Sequence, residues 1–76
     1  MSEKLPRVDG QQLIRALERA GFERVRQKGS HVHLRRESDR RRVTVPVHKG
    51  KTLPPGTLQG ILRDAGVKVE ELRRLL

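Results

Sequence analysis

Two stretches of the chain repeat apolar residues at helical spacing, and the segment between them alternates apolar with polar. In the first stretch Leu13, Ile14, Leu17 and Ala20 form a stripe that leaves Arg15, Glu18 and Arg19 outside. Asp9 suits the N-cap, Gln12 completes a capping box, and Val8 can staple against Leu13. Gly21 fits the left-handed residue that ends a helix, with Phe22 folding back on Leu17. This pattern predicts a helix over residues 10–20.

Three strands are expected next, at Phe22–Gln27, His31–Arg36 and Arg41–Val45. In the second, Val32, Leu34 and Arg36 take one side while His31, His33 and Arg35 take the other. Val25, Val43 and Val45 are expected on the inward side with Val32 and Leu34. Gly29 allows a tight left-handed turn in Lys28-Gly29-Ser30-His31, and Glu37-Ser38-Asp39-Arg40 has the composition of a hairpin loop. Pro46 has no amide hydrogen, so it marks a strand end or a sheet edge. Short loops favour an antiparallel meander.

After a loop at Val47–Lys51, Thr52 is a candidate cap for a second helix with Pro54 and Pro55 in its first turn. Leu58, Ile61, Leu62 and Ala65 form its apolar stripe and Gly66 stops it. Val69–Leu76 reads as a short last helix with Val69, Leu72 and Leu76 on one side. The expected class is α+β, in the order α-β-β-β-α with a short extra C-terminal helix. The inward valines need a cover, so both main helices should pack on one face of a three-stranded antiparallel sheet. The face carrying His31 and His33 is then left open or covered by a partner.

Seventy-six residues suit one domain, 1–76, with one modest core. The chain lacks cysteine, which removes disulfide frameworks and cysteine-ligated zinc and fits a reducing cytoplasm. No apolar run approaches the roughly 18 residues of a membrane span, and Met1-Ser2-Glu3-Lys4 opens no signal peptide. A soluble cytoplasmic protein is expected.

Charge changes the picture most. The net charge is +9, and thirteen of the eighteen cations are arginine. Ten of them lie between Arg24 and Lys51, opposed only by Glu37 and Asp39. Such concentration suggests a polyanion, most simply nucleic acid, although an arginine-rich surface with no such role has the same composition. Phe22 is the sole aromatic residue, so recognition through shape and phosphate is expected rather than base stacking on aromatic platforms.

Candidate chemistry gathers at Lys28-Gly29-Ser30-His31-Val32-His33. Histidines two apart on a strand stand roughly 6.5–7 Å apart, a span that can flank one phosphodiester. RNA brings its own nucleophile, the 2′-hydroxyl, so a histidine near its unperturbed range can move the proton without a metal. Lys28, Gly29 and Arg35 are candidate groups for the phosphate, with Arg41, Arg42, Lys49 and Lys51 as further phosphate contacts. Ser30 either binds phosphate or makes a local turn bond. His33 is a partner acid or a bystander, and His48 is a loop residue or a third imidazole of a zinc site with His31 and His33. Scarcity of nearby carboxylates weighs against the metal.

Gln27-Lys28-Gly29-Ser30-His31, Val43-Thr44-Val45-Pro46-Val47-His48 and the run from Leu53 to Gly66 together resemble the HicA toxin family. The resemblance runs from about Arg7 to Leu76. It implies a fold like that of a double-stranded-RNA-binding domain and an mRNA interferase, an endoribonuclease that cleaves messenger RNA and stops growth. It also implies neutralisation by a HicB antitoxin, while the 2′-hydroxyl chemistry itself leads us to expect no metal or small-molecule cofactor. By the same resemblance the histidine of Gly-Ser-His, here His31, is the catalytic residue. Many members follow it directly with a second histidine, whereas here Val32 intervenes before His33. A non-catalytic RNA-binding module, or a solitary toxin that has lost activity, fits the same sequence features.

Overall fold

The computed structural model describes residues 4–76, so the reading of Met1-Ser2-Glu3 lies outside the described residues. The elements are α1 (Gly10–Arg19), β1 (Glu23–Lys28), β2 (His31–Arg36), β3 (Arg41–Pro46), α2 (Pro55–Ala65) and α3 (Val69–Leu75). An α+β order with an antiparallel β1-β2-β3 sheet is therefore observed, followed by two helices.

Local chemistry sets the first helix. The Asp9 carboxylate accepts from the Gln12 amide at 2.8 Å, and the Gln12 side chain accepts from the Asp9 amide at 2.9 Å. Two backbone donors at the helix start are thus satisfied reciprocally. At the far end Gly21 takes φ +100°, the Phe22 amide donates to the Leu17 carbonyl and the Gly21 amide to Glu18. This is the hydrogen-bond pair of a Schellman ending. Gly66 ends α2 in the same way, at φ +68° with the Val67 amide on the Leu62 carbonyl.

The core lies between the sheet and one helical layer. Leu13, Ile14 and Leu17 of α1, Leu58, Ile61 and Leu62 of α2, and Leu72 of α3 are buried with Val32, Leu34, Val43, Val45 and Phe22. Each such aliphatic side chain contributes roughly 1.5–3 kcal/mol by leaving water. Both main helices lie against β3, and α3 lies against α1. The Arg19 guanidinium fastens this last helix by donating to the Leu75 carbonyl at 2.5 Å.

Three expectations are corrected. Val25 does not face the core: it is 50% exposed. The β1–β2 register shifts between Arg24 and Arg26, so a bulge turns Val25 out and sets Arg24 opposite inward-facing Leu34. Arg24 then reaches Glu18 of α1 at 3.6 Å, and all six residues of β1 are exposed. Thr52 does not cap α2, whose N-cap is Pro54 without a side-chain bond. Thr52 instead bridges antiparallel to Asp9, where the Leu53 amide donates to the Val8 carbonyl at 2.8 Å. Finally, Leu75 rather than Leu76 packs on the core, because α3 stops at Leu75 and leaves Leu76 46% exposed.

Gly10 has a packing reason. A Cβ there would lie 2.4 Å from the Pro46 carbonyl oxygen and 3.0 Å from Val47 Cα, so only glycine lets α1 start this close to the end of β3. Among the described residues no helix is long and apolar enough to cross a membrane.

Candidate active site on the open face of the sheet

The two hairpins fix which side chains meet on the face opposite the helices. Lys28 pairs with His31 across a two-residue turn in which Gly29 has φ +58°. A hairpin this short needs a positive φ at its first central residue, which glycine supplies without strain. On the other side, Arg36 pairs with Arg41, so His31 falls opposite Pro46, His33 opposite Thr44, and Arg35 opposite Arg42. Three cross-strand rows result: Lys28-His31-Pro46, Arg26-His33-Thr44 and Glu23-Arg35-Arg42.

The two histidines are not equivalent. His31 is exposed and stands beside the Gly29-Ser30 turn. His33, in the middle of the central strand, is half-buried, and its Nδ1 lies 3.0 Å from the Thr44 hydroxyl. A shallow depression of about 390 Å³ adjoins it, lined by Val25, Arg26, His33, Arg35 and Arg42. The bulge that exposes Val25 thus sets an aliphatic side chain among three arginines.

The other candidates divide by position. Lys28, Arg35 and Arg42 share the open face with His31 and His33, and Arg35 also lies 3.4 Å from the exposed Glu37 carboxylate. The Gly29 carbonyl accepts from the Gln27 amide group at 3.0 Å, and the Ser30 carbonyl accepts from the Val47 amide at 2.6 Å. That last bond brings the Val47–Lys51 loop beside the Gly-Ser turn. Lys49, Lys51 and His48 are exposed in this loop, and Lys49 and His48 border a cavity of about 310 Å³ against Asp9, Gly10 and Gln11 at the start of α1. Among the described residues, no three His, Cys, Asp or Glu side chains are gathered to hold a metal ion.

Arg41 goes elsewhere. It belongs to the helix side of β3, where its Nε lies 3.1 Å from Asp39 and its Nη1 donates to the Asp64 carbonyl. Arg36, adjacent to it across the hairpin, donates to the carbonyls of Ala20 at 3.0 Å and Ala65 at 3.1 Å. One guanidinium therefore ties together the C-terminal ends of α1 and α2, where carbonyls lack helical partners and the helix dipole favours a cation. The hydrogen bond from Arg36 is the main reason the Asp39 carboxyl is held down at about 2, with the Arg41 amide adding to it. Asp39 in turn raises the Arg36 guanidinium.

Arg26 and Thr44, the cross-strand neighbours of His33, are residues that sequence reasoning did not single out as site residues. Both were legible in principle. A two-residue turn after Lys28 sets Arg26 opposite His33, and a four-residue loop after Arg36 sets Thr44 opposite His33.

The family described as HicA toxin of bacterial toxin-antitoxin matches residues 10–67, from the first residue of α1 to just past α2. The chain belongs to the HicA toxin family. The matched stretch contains the whole sheet, the three histidines and both main helices, while α3 follows it. Membership makes this chain the toxin side of a toxin–antitoxin system, and a HicB antitoxin is the partner that HicA toxins generally have. No curated protein matches the chain closely enough to count as a relative.

Proposed function

We propose that this HicA-family toxin is a metal-independent endoribonuclease that cleaves mRNA by histidine acid–base chemistry on its open sheet face. The observation that carries the reading is the exposed His31 on that face, in line with His33 and flanked by Lys28, Arg26, Arg35 and Arg42. Family membership supports the same reading.

The chemistry is short. His31 takes the proton of a ribose 2′-hydroxyl, the oxygen attacks the neighbouring phosphorus, and the bond to the 5′-oxygen breaks as that oxygen takes up a proton. The products are a 2′,3′-cyclic phosphate and a free 5′-hydroxyl. Cations on the face stabilise the charge that builds on the non-bridging oxygens, and Gly29 and Ser30 leave room for the backbone beside the turn. Lys49 and Lys51 extend the cationic track towards the loop. A HicB-type antitoxin that shields this face with acidic or apolar groups would silence it.

The test is incubation of the purified protein with RNA in excess chelator, followed by mapping of the ends. The expected result is cleavage with cyclic phosphate ends that His31→Ala abolishes. RNA binding without cleavage would instead make the chain a non-catalytic RNA-binding module or an inactive toxin. Cleavage lost in chelator and restored by zinc would overturn the metal-free chemistry.

A further inference from the structure

We propose that His33 is the second proton-transfer group of the site, the acid that protonates the departing 5′-oxygen, and that Thr44 is its positioning residue. The inference rests on the nuclease reading above and goes beyond it, since that reading needs only His31.

Three observations converge on His33. Its ring has a fixed partner, the Thr44 hydroxyl at 3.0 Å from Nδ1. This partner is supplied by the cross-strand pair of β2 and β3, whose register runs without a shift from His31 to Arg36. The ring also borders the arginine-lined depression, together with Arg26, Arg35 and Arg42. A phosphate drawn to those guanidinium groups is brought against His33, whose Nε2 is the nitrogen not engaged by Thr44.

A hydroxyl is a suitable partner for a group that gains and loses a proton. It accepts from Nδ1–H both in the imidazolium and in the neutral ring left when Nε2 has given up its proton, so the ring keeps one orientation through the transfer. A carboxylate in its place would favour the imidazolium and so oppose the transfer. The acid is the imidazolium, with Nδ1–H on the Thr44 hydroxyl and the transferable proton on Nε2.

Each proton and electron pair has a destination. The 2′-oxygen forms its bond to phosphorus as its proton passes to His31. The phosphorus–5′-oxygen bond breaks, and its electron pair takes the proton from Nε2 of the His33 imidazolium, leaving the neutral ring protonated at Nδ1. Residues two apart on a strand stand roughly 6.5–7 Å apart, which lets the two rings address opposite sides of one phosphorus.

The experiment uses an RNA oligonucleotide cut at one mapped position and its analogue with sulfur replacing the bridging 5′-oxygen there. A thiolate leaves without a proton, so the analogue does not need the acid. His33→Ala is expected to slow the oxygen substrate by about 10²–10⁴ and to recover most of that loss on the sulfur substrate. His31→Ala is expected to stay slow on both. Thr44→Val, which keeps the β-branched shape, should slow only the oxygen substrate, by up to about 10²-fold, and Thr44→Ser should restore it. Nitrogen-15 spectra of the folded protein should show the His33 Nδ1 resonance moving in Thr44→Val and returning in Thr44→Ser. A wild-type protein that cuts neither substrate overturns the nuclease reading and the acid role together. Wild-type cleavage with His33→Ala unimpaired, or impaired equally on both substrates, overturns the acid role alone. An unchanged rate in Thr44→Val overturns the positioning role.

Discussion

The guanidinium carbon of Arg36 sits 4.6 Å from the centroid of the Phe22 ring, over the one aromatic residue of the chain. From there it reaches the ends of both main helices and Asp39, and its side chain is only 17% exposed. The cation that looks like one more member of a basic stretch is therefore a structural clamp. Stacking, two helix-end carbonyls and a carboxylate converge on it, which a lysine ammonium could not reproduce in one plane.

Arg36→Lys should accordingly destabilise the fold by about 2–3 kcal/mol, since it loses charge-assisted bonds and leaves carbonyls at two helix ends without their donor. Urea melts read the loss directly. The variant keeps the open face, so cleavage per folded molecule should stay near that of the wild type.

Asp39 gives a pH dependence with a defined sign. Its carboxyl is lowered from an ordinary 3.8 to about 2, first by the Arg36 hydrogen bond. The folded state thus holds the ionised form more strongly than the unfolded chain does. That contribution is present above pH 3.8 and is lost as pH falls through about 2. Thermal melts of Asp39→Asn should be lower at neutral pH and should lose the part of the acid dependence that lies in this window. An Asp39→Asn curve parallel to that of the wild type down to the lowest pH would show that the carboxylate does not couple to folding.

These two residues also show where the sequence was legible and where it was not. Caps, stripes and turns are local, so α1 with its Asp9-Gln12 box and the Gly29 turn followed from neighbouring residues. Alternation alone put Val25 inward, because a bulge is invisible unless something across the sheet competes for the position. Here Arg24, opposite Leu34 and 3.6 Å from Glu18, takes it. Alternation also put Arg36 inward, and a cation at an inward position was the available sign of a helix-end clamp. The candidate site was legible as a face: His31, His33 and Arg35 followed from period two. Its inner order, with Thr44 on His33 and Arg41 withdrawn to Asp64, depended on register and on contacts with α2.

Gly10 links packing to the site. In Gly10→Ala the added methyl meets the Pro46 carbonyl at 2.4 Å, and Pro46 is the cross-strand partner of His31. The helix start or the strand end has to shift, so a cost of about 1–3 kcal/mol is expected despite the better helix propensity of alanine. Amide chemical shifts at His31 and Val47 should move with it. A Gly10→Ala variant as stable as the wild type would mean that α1 and β3 separate at this point without cost.

Arg41 and Arg42 are adjacent in sequence and opposite in role, which makes them the sharpest pair to compare. Arg42 stands on the open face opposite Arg35 and lines the depression beside His33. Arg41 is held by Asp39 and the Asp64 carbonyl at the end of α2, and its guanidinium fills the space where a side chain at Gly66 would go. If RNA phosphates are bound on the open face, each contact releases counterions and adds roughly 0.7–0.9 to the slope of log affinity against log salt. Arg42→Ala should lower that slope by about one contact while leaving the melting temperature nearly unchanged. Arg41→Ala should do the reverse, leaving the slope intact and lowering stability by about 1 kcal/mol through the lost bonds to Asp39 and Asp64. Salt titrations and melts of the two variants decide it together. An equal flattening of the slope in both variants would place RNA on the helix side as well and would remove the open face from its special position.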